Sequence, residues 1–262
     1  MGSSRATGPP AGLVATALVV ALAVAGCGGS ADADPPEEGV GGTVTIFAAA
    51  SLTEPFGRLG EDFEAAYPGA TVVLNFAGSA TLAQQINEGA PVDVFAAADP
   101  TSMQLVADGG GTGVSPATFA RNQLVIAVGP GNPLGIAGLA DLPGLTVALC
   151  AEQVPCGRAA QRALAAAGVA LTPATLERDV KAALAKVELG EVDAALVYRT
   201  DVRASEQVDG VEFPESAEAV NDYPISVLDD APNPTAAAAF VELVLSEAGQ
   251  AVLADAGFAR PS

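Results

Sequence analysis

The stretch TVTIFAAASLTEPFGRLGEDFEAAYPGATVVLNFAGSATLAQQINEGAPVDVFAAADP (43–100) decides the fold. TVTIFAA (43–49) is β-branched and apolar, and EPFGRLGEDFEAAY (54–67) sets Phe56, Leu59, Phe63 and Tyr67 at helical spacing. Pro68-Gly69 ends that helix. ATVVLNFAG (70–78) predicts a second strand, and TLAQQINEG (81–89) a second helix closed by Gly89. PVDVFAAADP (91–100) predicts a third strand, and TSMQLVADGG (101–110) a third helix. Strand and helix alternating in this order build a parallel sheet with right-handed crossovers, an α/β fold.

Two corners inside the stretch share a feature. In FAAASLTEPF (47–56) and NFAGSATLAQQI (75–86) a strand ends in small residues, then Ser51 or Ser79, then a helix. A hydroxyl placed there sits beside free backbone N–H groups and the positive end of the helix dipole. One such serine is ordinarily just an N-cap. Two, each following FA-x-(A/G), make a neutral pocket suited to a small oxyanion.

Toward the C-terminus, Gly109–Gly113 reads as a loop and RNQLVIAVGPGNP (121–133) carries an apolar strand into a Gly/Pro break. A second α/β series follows: strand LTVALC (145–150), helix GRAAQRALAAAG (157–168), helix DVKAALAKVELG (179–190) and strand DAALVYRTD (193–201). YPISVLDD (223–230) reads as a return strand, and residues 234–257 as two helices. Two α/β units joined by connecting strands suggest two lobes with a cleft between them. Residues 43–122 with 226–262 are expected to form lobe one, and 123–225 lobe two. In open α/β sheets ligands gather beyond the carboxyl ends of strands, where both serine corners lie.

Toward the N-terminus, residues 1–26 read as a leader: Arg5, then the apolar run AGLVATALVVALAVA (11–25), too short to span a bilayer comfortably. The leader closes on Val24-Ala25-Gly26-Cys27, similar to the lipobox of bacterial lipoproteins, where the cysteine is acylated; the alternative is an ordinary cleavage site beside an accidental cysteine. Residues 27–42, acidic and rich in Pro and Gly, read as a flexible tether. An acylated Cys27 would anchor the body to the membrane without spanning it. The remaining chain, from Thr43, has no other run suited to crossing a membrane, so the body is expected to be soluble.

Composition removes several function classes. The formal charge is −20, and loss of Arg5 with the leader takes it to −21. Such a chain repels nucleic acid and cannot draw anions in by long-range attraction, so an anion site must work through local dipoles. Histidine is absent, which removes the commonest general base and zinc ligand. Cys150 and Cys156 flank a short loop in TVALCAEQVPCGRAA; outside the cytoplasm a structural disulfide is favoured over free thiols or a redox pair, the spacing not being CxxC.

TIFAAASLTEPF, FAGSATLAQQI, PVDVFAAAD, VPCG and DVKAALAKVELGEVDAALVY together resemble the periplasmic molybdate-binding proteins of molybdate ABC importers, over essentially all of Thr43–Ser262. The resemblance implies a two-lobed type-II periplasmic binding fold that closes on molybdate or tungstate. The oxyanion would be held by neutral hydrogen-bond donors, with no cofactor and no free metal ion. Ser51 and Ser79 would donate hydroxyl and backbone N–H bonds, Cys156 and Val180 backbone N–H bonds, and Tyr198 its phenol. Val180 rests wholly on the resemblance, and Tyr198 by its residue type alone would be a core tyrosine. Cys156 departs from the family, which often has Ala there; a main-chain donor tolerates either. The implied partners are the permease of an ABC transporter and, through the lipid anchor, the membrane; the protein would act as an extracytoplasmic monomer.

Competing functions are a receptor for another oxyanion such as sulfate, a serine-dependent extracytoplasmic enzyme, and a purely structural surface lipoprotein. Phosphate fits less well, because no carboxylate stands beside Ser51 or Ser79 in sequence to accept its proton. Iron(III) would need clustered Tyr, His or carboxylates, and the chain has only Tyr67, Tyr198 and Tyr223. For an enzyme, Lys181 or Lys186 would have to activate a serine, but no G-x-S-x-G is present. Arg158, beside the VPCG loop, reads as a solvated residue at a helix start rather than an anion ligand.

Overall fold

The computed structural model describes residues 39–112 and 115–261. The leader, Cys27 and the tether up to residue 38 lie outside the described residues.

The first sheet has the order β2-β1-β3-β10-β4, from β1 (Gly42–Ala49), β2 (Ala70–Ala77), β3 (Val94–Ala96), β4 (Ala117–Asn122) and β10 (Asn221–Val227). β2 and β3 run parallel to β1, while β10 is antiparallel to both β3 and β4. The second sheet has the order β7-β6-β8-β5-β9, from β5 (Leu124–Val128), β6 (Val147–Cys150), β7 (Thr175–Glu177), β8 (Ala194–Tyr198) and β9 (Asp209–Val211). Again three strands are parallel, β6 with β7 and β8, and β5 runs antiparallel to its neighbours. Each lobe thus repeats one pattern, and each has its own core.

Central strands read as continuous apolar runs because helices cover both faces; β5 (LVIAV) and β8 (AALVY) are buried at every position. In lobe one, α1 (Thr53–Ala66) buries Phe56, Leu59 and Phe63. With Phe240 and Val244 of α7 (Pro234–Leu245) and Leu253 of α8 (Glu247–Asp255), these residues fill one side of the first sheet. On the other side, Leu82 of α2 (Ser79–Asn87) and Met103 of α3 (Pro100–Asp108) pack on Phe47 and Phe95. In lobe two, α4 (Pro155–Ala167) and α5 (Val180–Glu188) bury Ala160, Ala163, Ala183 and Leu184 against the second sheet. Among the described residues no single helix is long and apolar enough to cross a membrane.

The structure departs from the sequence reading at the junctions. The apolar run from 121 is not one strand but the end of β4 and the whole of β5, so the chain passes between sheets at Gln123. β10 begins at Asn221, so the return crossing precedes the expected boundary at 226. β1 begins at Gly42, inside the stretch read as tether. The strand expected over 193–201 stops at Tyr198, because Asp201 accepts a hydrogen bond from the Tyr198 N–H and turns the chain into α6 (Arg199–Arg203). The edge strands β7 and β9 are three residues each, too short to show a period.

Candidate functional site

Every parallel strand that points at the cleft hands over to a helix there. From lobe one, β1 leads into the 3-10 turn Ala50–Leu52 and β2 into α2. From lobe two, β6 leads to α4, β7 to α5 and β8 to α6. The helix starts converge on one small cavity, and the first N–H groups of each helix have no partner within it.

The cavity is lined by Ala49, Ala50, Ser51, Ala77, Gly78, Ser79 and Ala98 from lobe one, and by Val154, Pro155, Cys156, Asp179, Val180 and Tyr198 from lobe two. The five residues singled out in the sequence, Ser51, Ser79, Cys156, Val180 and Tyr198, are therefore all brought together. Each is at most 3% exposed, so the lobes are closed over them.

No lysine or arginine lines this cavity. Its one carboxylate, Asp179, is turned to its own helix: it accepts from the Ala182 N–H at 2.9 Å as the N-cap of α5. The tyrosine hydroxyl stays protonated, because burial above all pushes its ionisation well above the ordinary tyrosine range. Among the described residues no three His, Cys, Asp or Glu side chains gather as a metal-ligand set. The arrangement is a ring of neutral donors facing a small closed centre.

The family profile of bacterial extracellular solute-binding proteins matches residues 44–259. The chain belongs to this family. It is 43% identical, over 95% of its length and 98% of the relative's, to the molybdate-binding protein ModA of Mycobacterium tuberculosis. Its fold is similar to the periplasmic molybdate-binding protein of Azotobacter vinelandii (TM-score 0.72, 20% identity, 84% of this chain and all of that one). It is equally similar to the sulfate-binding protein SubI of M. tuberculosis (TM-score 0.71, 19% identity, 83% of this chain and 86% of that one). The two-lobed architecture is thus that of periplasmic binding proteins, and this solute-binding protein is a receptor, not an enzyme.

In the solute-binding protein the cations near the cavity hold the lobes together instead. Arg158 of α4 is not solvated as expected. Its guanidinium meets the Asp99 carboxylate at 2.6 Å across the cleft, donates to the Ser102 hydroxyl at 3.0 Å and bonds the Gln153 carbonyl. The pairing follows from Asp99 being the N-cap of α3, which fixes its carboxylate at the cleft edge. Lys181 of α5 reaches Glu54 of α1 at 2.7 Å, again across the cleft, and approaches the buried Asp201 at 3.6 Å. Lys186 is bound to Glu191 at 2.6 Å. Neither lysine lines the cavity, so neither is placed to activate a cavity serine.

Cys150 and Cys156 are joined by a disulfide, with Cα atoms 5.7 Å apart, that ties the end of β6 to the first turn of α4. Beyond the expected five, the site rests on Gly78, Asp99, Asn122, Asn221 and Tyr223. Gly78 lies so close to the opposite lobe that a Cβ there would stand 2.4 Å from the Arg178 carbonyl oxygen. The sequence signal for the asparagines is a short polar cluster at each crossing, Arg121-Asn122-Gln123 and Asn221-Asp222, where an apolar strand begins or ends.

Proposed function

We propose that this chain is the extracytoplasmic receptor that captures molybdate, and tungstate, for an ABC importer. The observation that carries the reading is the convergence of neutral hydrogen-bond donors from both lobes on one small cation-free cavity. A tetrahedral dianion offers only acceptors, and preorganised N–H and O–H groups at helix starts satisfy it without a counter-charge. Ser51, Ser79 and Tyr198 would donate through their hydroxyls, and Cys156 and Val180 through the main chain. The 43% identical relative is a molybdate-binding protein, which supports molybdate as the solute. Sulfate is the second reading, favoured by the likeness in fold to a sulfate-binding protein; both anions are tetrahedral and differ in size.

In this reading Cys27 is acylated, and the segment from residue 28 to the start of β1 at Gly42 tethers a monomeric body to the outer face of the membrane, where it meets its permease. The two lobes move as rigid bodies about Gln123 and the segment before Asn221, opening to admit the anion.

Thermal unfolding of the chain with molybdate, tungstate, sulfate and phosphate tests the assignment. At about 100 times the dissociation constant, one-site linkage adds roughly 2.7 kcal/mol. A rise in melting temperature with molybdate and tungstate alone is expected. A rise with sulfate alone moves the second reading to the front, and no rise with any anion overturns both.

A further inference from the structure

Three hydroxyls reach the cavity or its wall, and a hydroxyl donates to a ligand only if its hydrogen is not spent on the protein. Ser79 is settled by the backbone: the Ala98 N–H donates to its Oγ at 3.0 Å, so the Ser79 hydrogen remains for the cavity. For Tyr198 and Ser51 the partners are side chains, and two asparagines decide the direction.

Asn122 ends β4, Asn221 begins β10, and the two stand opposite each other in the antiparallel register where the chain crosses between lobes. Both are buried. The amide of Asn221 admits one orientation. Its Oδ1 accepts from Arg162 at 2.9 Å, and arginine can only donate; its Nδ2 donates to the Ala98 carbonyl at 2.8 Å, which can only accept. The second Nδ2 hydrogen therefore goes to the Tyr198 hydroxyl at 2.8 Å. Tyr198 is left as a donor, toward the cavity or toward its neighbour Tyr223. Asn122 is fixed in the same way. Its Oδ1 accepts the Gln123 N–H at 3.0 Å, which turns Nδ2 to Thr200 at 2.8 Å and to the Tyr223 hydroxyl at 3.4 Å. Tyr223 and Ser51 share a hydrogen bond at 2.9 Å in which either hydroxyl can donate. The Asn122 amide, by donating to Tyr223, favours the direction in which Tyr223 donates and the Ser51 hydrogen is left for the cavity.

We infer that Asn221 and Asn122 are positioning residues that fix the polarity of the binding site, holding Tyr198 and Ser51 as donors to a fully deprotonated oxyanion. This inference rests on the oxyanion-receptor reading above. Because Asn221 belongs to the first sheet while Tyr198 and Arg162 belong to the second lobe, the phenol is oriented by the opposite lobe. Specificity follows: an anion that keeps a proton, such as phosphate near neutrality, is disfavoured, because these hydroxyl oxygens already take a protein hydrogen bond and the one lining carboxylate, Asp179, is engaged as the N-cap of α5.

Asn221→Asp keeps the shape and the Arg162 contact but sets a carboxylate oxygen, which only accepts, against both the Tyr198 hydroxyl and the Ala98 carbonyl, so the Tyr198 hydrogen would turn to residue 221 and away from the ligand. Molybdate affinity of the purified chain, measured by calorimetry, is expected to fall at least about tenfold. In a Tyr198→Phe background, where no hydroxyl remains to turn, the same substitution is expected to cost less than about threefold. The phosphate-to-molybdate affinity ratio should rise in N221D and not in the double variant. Asn122→Asp, tested with and without Ser51→Ala, repeats the cycle on the other hydroxyl and decides the matter if N221D does not fold. Equal losses in both backgrounds, or wild-type affinity in N221D and N122D, overturn the inference while leaving the receptor reading intact. A wild-type chain that binds no tetrahedral oxyanion overturns the receptor reading itself, and this inference with it.

Discussion

Asp201 lies fully buried under the start of α6, and its ionisation is pushed up to about 7, chiefly by burial; the nearby Lys181 ammonium and the Tyr198 N–H pull the other way. A carboxyl raised in the folded state binds a proton there that the unfolded chain has already released. Its contribution to stability is therefore present near pH 4 and is lost as pH rises toward about 7. Asp201→Asn removes the titration, so its melting temperature relative to wild type should be higher at pH 8 than at pH 5; a difference constant across that range would contradict the assignment. Gly78 makes a sharper case. Its backbone, at φ −60° and ψ 131°, suits any residue, so Gly78→Ala should leave lobe one unharmed. The added Cβ would stand 2.4 Å from the Arg178 carbonyl oxygen of lobe two. Overpacking of this kind costs roughly 1–3 kcal/mol, and here it acts only on the closed form. Binding in G78A should weaken about ten- to hundredfold with little change in ligand-free melting temperature, and X-ray scattering should show a wider cleft. The sequence showed that small residues precede Ser51 and Ser79. That Gly78 is small because another lobe touches it depends on contacts between positions 100 residues apart, which no local pattern carries.

Elements differ in how far they could be read. Long apolar or periodic segments such as β1, α1 and β8 were legible because their own spacing reports the faces they bury. β7 and β9 were not, since three residues contain no period. The split between β4 and β5 was invisible for a different reason: a single residue, Gln123, separates the two strands, and what changes there is the sheet. The Ala-rich pattern predicts α4 from Gly157, but the helix starts at Pro155, whose fixed φ suits the first helical position. That two-residue difference matters, because it puts the Cys156 N–H within the unpartnered first turn. The disulfide to Cys150 pins this turn to β6. For a loop of six residues' separation, chain-entropy considerations give about 2 kcal/mol of stabilisation. Cys150→Ser with Cys156→Ala should lower the melting temperature accordingly and also weaken molybdate binding, because the donor must then be ordered by the ligand. Unchanged melting and affinity would show that the bridge constrains nothing.

On the scale of the whole molecule, the basic side chains nearest the cleft serve closure rather than attraction. Arg158 is spent on Asp99, and Lys181 on Glu54 and Asp201. What faces the solute is a set of dipoles inside a chain whose formal charge is −20. The consequence appears in time rather than in equilibrium. A dianion approaching this surface climbs a repulsive potential, and dissolved salt, with a screening length of about 8 Å at physiological strength, flattens that hill. Stopped-flow measurement should therefore find that the association rate constant for molybdate increases with added inert salt, while dissociation, limited by separation of the lobes, changes less. A receptor that lured its anion with positive charge would slow under the same titration. Capture by this one should be slowest in dilute water and quicken in brine.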